Sequence, residues 1–70
     1  MYNYSKLRGK AIEKCGTLGK FAGIMGISKV SVSNKLMNKT PWGQDEIVKA
    51  CNILDIKPKE IGAYFFTEEV

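Results

Sequence analysis

The sequence predicts a compact all-α domain of five helices, and three observations carry that prediction. Apolar residues recur at helical spacing, as in Leu7, Ala11 and Cys15 or in Ile47, Cys51 and Leu54. Gly16, Gly26, Pro41, Gly43 and Pro58 punctuate those runs where helices should stop or start. No stretch alternates apolar and polar residues as a half-buried strand would, beyond a short candidate extension at the C-terminus. The 70 residues read as one domain over 1–70, with a core of about a dozen apolar side chains and little left to enclose a deep substrate pocket.

The first helix runs from Tyr4 or Ser5 to Cys15, with Tyr4 and Ile12 flanking its apolar stripe, and Gly16 ends it. Gly9 costs this helix about 1 kcal/mol relative to Ala, which a close helix crossing would justify. Thr17 caps the second helix, Leu18 to Met25, on which Phe21, Ala22 and Met25 share one face. Gly26 stops it, because glycine tolerates the left-handed backbone of a sharp turn. Ile27 then points inward and Ser28 can cap the third helix, Lys29 to Met37 or Asn38, whose Val32 and Leu36 face the core. Its β-branched Val30 and Val32 and its serines make this helix intrinsically weak, so it depends on docking into the core.

Residues Asn38 to Gly43 form a loop, in which Trp42 packs against the third and fourth helices. The fourth helix begins at Gln44, with Asp45 and Glu46 complementing its dipole, and ends near Asp55. Ile56 fills the gap before Pro58 opens a fifth helix through Glu60, Ile61 and Tyr64. Tyr64, Phe65 and Phe66 belong either to the core or to an interface, with two of the three assigned to the core. An acidic tail, Thr67 to Val70, closes the chain.

Charge is distributed unevenly. Up to Thr40 there are eight basic residues and one acid, Glu13, whereas from Pro41 onward there are three basic and six acidic residues, for a total of +4. The cationic half suits a polyanion on one side only. Histidine is absent, which removes the commonest general base and metal ligand. The acids do not pair as general acid–base chemistry requires, so no enzyme, cofactor or metal is expected. Cys15 and Cys51 form no CxxC pair and read as small buried hydrophobes in a reducing compartment. No apolar run approaches the roughly 20 residues that span a bilayer, and MYNYSKLRGK lacks a signal-peptide stretch. The expectation is a cytoplasmic protein without membrane contact.

The segment 17–36, TLGKFAGIMGISKVSVSNKL, is a helix–turn–helix whose second helix has a small, polar and cationic outward face. Ala22, Gly26, Ile27 and Val32 stand at the small, glycine and apolar signature positions of that motif. With LRGKAIEKCGT before it and NKTPWGQDEIVKACNILDIKPKEIGAYFF after it, the chain resembles the Cro/CI-type (xenobiotic-response-element-like) helix-turn-helix family. The nearest resemblance is to small Cro-like regulators of Gram-positive phages and prophages, over roughly residues 5–66. It implies a lambda-repressor-like fold and a transcriptional repressor that reads a double-stranded DNA operator in the major groove.

By motif position, Ser28, Lys29, Val30 and Asn34 match groove-facing sites, with Ser31 and Ser33 at their margins. Lys29 can donate to guanine, Asn34 can pair with adenine, and Val30 can meet a thymine methyl. Ser28 serves equally as a helix cap, and Lys29 equally as a phosphate ligand. The phosphate candidates are Lys20, Lys35, Asn38, Lys39 and Thr40, with the backbone N–H groups near Thr17 and Leu18. A module this small gains affinity by binding a palindrome as a homodimer. The sequence departs from the family in one place: many members carry a phosphate-binding Gln where Leu18 and Gly19 stand. That departure and the apolar C-terminal cluster motivate a second reading, an antirepressor-type protein–protein module that binds a partner phage repressor.

Overall fold

Five α-helices follow one another in the computed structural model, which describes residues 1–69: α1 (Ser5–Cys15), α2 (Leu18–Met25), α3 (Lys29–Leu36), α4 (Gln44–Leu54) and α5 (Ile61–Phe65). Val70, the last residue of the acidic tail, lies outside the described residues. Each helix owes its limits to local chemistry. Thr17 accepts the N–H of Lys20 at 3.1 Å and Ser28 accepts that of Ser31 at 3.1 Å, so both act as the N-caps their side chains suggest. Gly16 and Gly26 stand at φ 92° and 80°, and Gly26 lets Ile27 donate back to the Ala22 carbonyl at 3.0 Å.

The core is apolar throughout. Leu7 and Ala11 of α1, Phe21, Ala22 and Met25 of α2, Val32 of α3, and Ala50, Cys51 and Leu54 of α4 meet Tyr4, Ile56, Tyr64 and Phe65. Among the described residues no polar or charged residue is buried with them. Helix α2 packs against α1, α3 and α4, and α5 closes the far side of α1. Tyr64 and Phe65 are buried whereas Phe66 is 51% exposed, which divides the C-terminal aromatic cluster. Both cysteines are free thiols; burial raises the pKa of Cys51 and so favours its neutral form.

Several details differ from the sequence expectation. The fifth helix does not start at Pro58: Pro58–Glu60 is a 3₁₀ turn, and the α-helix begins only at Ile61. Glu60 accepts the Lys57 N–H at 3.1 Å and tightens this turn. Helix α3 ends at Leu36, because Asn38 adopts a left-handed backbone with φ 62°. Trp42 packs edge-to-face on Phe65 and Tyr4, at centroid distances of 5.4 and 6.3 Å, so it ties the loop to the start of α1 and to α5. The termini run antiparallel, with Asn3 donating to the Thr67 carbonyl at 2.7 Å and a single bridge between Tyr2 and Glu68.

No helix crosses closely at Gly9, where an added Cβ would meet nothing within 4 Å. Its flexibility is therefore a cost without a packing return. Gly9→Ala should raise stability by about 1 kcal/mol, a melting-point increase of roughly 4–8 °C for a domain of this size. A calorimetric scan that shows no increase would contradict the open environment assigned to this position.

Candidate functional site

Helix α3 is held from its inner side. Val32 is fully buried, Leu36 packs against the core, and Ile27 fills the approach to the helix. These contacts compensate for poor intrinsic propensity. What remains on the outside is a stripe of Val30, Ser33, Asn34 and Met37, spaced i, i+3, i+4 and i+7 on one side of the helix. Val30 is 68% exposed and Met37 53%, while Ser33 and Asn34 between them are half-buried.

The residues around this stripe fall into two groups. Several are committed within the fold. Ser28 accepts the Ser31 N–H and donates to the Ser31 hydroxyl at 3.1 Å, so its side chain serves as a cap. The Lys35 ammonium lies 3.1 Å from Glu46 Oε1, donates to the Pro41 carbonyl at 3.2 Å, and sits 6.0 Å from the Trp42 ring centre. Its side chain is only 13% exposed. Asn38 Oδ1 accepts the Tyr2 N–H at 2.9 Å and its Nδ2 donates to the Tyr2 carbonyl at 2.8 Å. That pair of bonds fastens the N-terminus to the end of α3, with Asn in the left-handed position it tolerates better than most residues. Leu18 packs on the core. By contrast Thr17, Lys20, Lys29, Lys39 and Thr40 are exposed.

Glu46 joins two parts of this arrangement. Partial burial pushes its pKa up, but the Gly43 N–H, which it accepts at 2.7 Å, and the Lys35 ammonium more than offset that push. The carboxyl is held below its ordinary value, and the charged form caps α4 while anchoring α3. Sequence spacing carried no sign of this tie, since Lys35 and Glu46 come from different helices. The Asn38–Tyr2 clasp was equally hidden. Met37 was missed as an exposed residue, although its spacing from Val30 could have disclosed it.

A groove of about 460 Å³ lies beside these anchors, lined by Tyr2, Tyr4, Asn38, Trp42, Ile47 and Phe66 among others. The Trp42 indole N–H has no hydrogen-bond partner among the described residues. No group of three or more His, Cys, Asp or Glu residues among them could hold a metal ion. Among the described residues, no helix is long and apolar enough to cross a membrane.

Residues 1–68 match the family described as "Protein of unknown function (DUF739)". The chain belongs to this family. It is also 51% identical to the modulator of repression (MOR) of the temperate bacteriophage TP901-1 from Lactococcus lactis. The match to that solution structure has a TM-score of 0.81 and covers 93% of this chain and 88% of the other. No match is found among curated proteins. The DUF739 family and the likeness to MOR confirm the small five-helix fold and overturn the Cro/CI-type resemblance, together with the operator-reading repressor it implied. Neither a DNA operator nor a homodimer gains support from them. The physical reason lies in the signature itself. Ala22 permits a close approach of helices, Gly26 supplies a left-handed turn, and Val32 plugs the core. Those positions report how two helices meet, not what their outer surface touches.

Glu46 makes stability pH-dependent. Because its folded pKa is depressed, its contribution is present above the unfolded carboxylate value and is lost as the pH falls through the folded one. Glu46→Gln should cost on the order of 1 kcal/mol at neutral pH, and the difference from the wild type should vanish in acid. Melting curves between neutral and strongly acidic pH check this; a constant difference would contradict it.

Proposed function

We propose that this chain is an antirepressor-type regulator of phage origin that acts in the cytoplasm by binding a partner repressor. The observation that carries the reading is the 51% identity, over 93% of the chain, to a protein that modulates repression. The surface around α3 favours a protein partner. Lys35 and Asn38, two groups suited to phosphate, are engaged within the fold, and the exposed positions of α3 and its C-cap include apolar Val30 and Met37. Bare apolar side chains gain more from a matching protein surface than from a phosphate backbone. The mode of action in this reading is binding, in line with the relative's name, modulator of repression.

The test uses a helix-turn-helix repressor from the same phage or prophage genome, purified and bound to its own operator. Adding the chain should release the repressor from DNA or change its occupancy at micromolar concentrations, and the chain alone should leave the operator unshifted. An unchanged repressor–operator titration, with no complex detected between the two proteins, would overturn the reading.

A further inference from the structure

We infer that the outward stripe of α3 and its C-cap, Val30 through Met37, is the face that grips the partner, and that the partner offers an acidic protein surface around an apolar recess. This inference rests on the antirepressor reading above and adds the location and chemistry of the contact. Isolated apolar residues on a surface need no explanation. Val30 and Met37 are different because they sit about two turns apart on one side of α3 and its C-cap, with only short polar side chains between them on that side. Val30 also stands in the first turn of α3, where an acidic residue would favour the helix dipole and a straight-chain residue would favour the helix. A β-branched apolar side chain there benefits neither the helix nor its hydration. Met37 adds a flexible, polarizable side chain of the kind that moulds to a partner.

The surrounding charge selects the partner. No acidic residue occurs between Glu13 and Asp45. Within that span Lys35 is neutralised by Glu46, while Lys20, Lys29 and Lys39 have no acidic partner among the described residues. The stripe is thus an apolar strip with unpaired ammonium groups on α2, at the start of α3 and in the loop after it. An ordinary interface takes about 800 Å² from each protein, more than the outer side of a two-turn helix supplies, so the contact must extend onto the adjoining elements, which carry these lysines. Of the other exposed apolar residues, Val48 shares α4 with Asp45 and Glu46, and Phe66 packs edge-on against Tyr2 at 5.8 Å, whereas Ile24, 55% exposed, lies one turn beyond Lys20 on α2.

Val30→Glu separates docking from folding. The substitution suits the first turn of α3 and meets solvent, so the melting temperature should hold or rise. Affinity for the repressor from the same genome, measured by isothermal titration calorimetry, should fall by about tenfold or more. Lys29→Glu combined with Lys39→Glu should weaken binding likewise and flatten its salt dependence, whereas Val48→Glu should stay within about twofold of the wild type. Wild-type binding left intact by Val30→Glu, or damaged equally by Val48→Glu, overturns the assignment of the face and leaves the antirepressor reading standing. No complex with the wild-type chain, by calorimetry at two temperatures and by size-exclusion chromatography, overturns the antirepressor reading itself and this inference with it. Specific binding of repressor-free operator DNA that is lost in Val30→Glu would assign the face to nucleic acid and overturn the proposed partner.

Discussion

A weak helix held from one side is the constraint on which this molecule turns. The eight residues of α3 would not persist as an isolated helix, given two valines, two serines and no internal ion pair. Four attachments hold it: the Ser28 cap, the fully buried Val32, the Lys35–Glu46 pair and the double hydrogen bond from Asn38 to Tyr2. All of them lie at its ends or on its inner side. The outer side is left without a structural task, which is the condition a recognition surface needs.

The same attachments redistribute charge. The sequence places four lysines between Thr17 and Thr40, yet Lys35 is spent on joining α3 to α4 and to the Trp42 loop. Trp42 then stacks edge-on against Phe65 and Tyr4, and Tyr2 continues the aromatic chain to Phe66. The two ends of the chain and the end of α3 are therefore one packed unit. Two helices joined in this way keep a well-packed inner side and leave an outer surface that is partly apolar, a separation of scaffold from site that folds commonly allow.

Much of the fold was legible because local chemistry set it. Thr17, Ser28, Gly16 and Gly26 mark helix limits by capping or by positive φ, and the apolar periodicity of Leu7 and Ala11 or Cys51 and Leu54 names the core directly. What escaped depends on contacts between distant residues. Nothing near Asn38 in sequence announces that its amide holds Tyr2, and nothing near Lys35 announces Glu46. The family was misread for a related reason: Ala22, Gly26 and Val32 satisfy the packing of a tight helical corner, which DNA-binding and protein-binding chains share. The absent Gln at Leu18 was the residue that spoke against a phosphate contact, and it pointed toward the protein-binding alternative.

Backbone amide shifts of the isotopically labelled chain, followed while an unlabelled repressor from the same phage or prophage genome is added, test the central claim most directly. The account places the largest changes from Ser28 to Lys39 and at Lys20, with α4 from Gln44 to Leu54 little affected. Changes centred on α4 or on the outer side of α1, with the Val30 and Met37 signals unmoved, would contradict it.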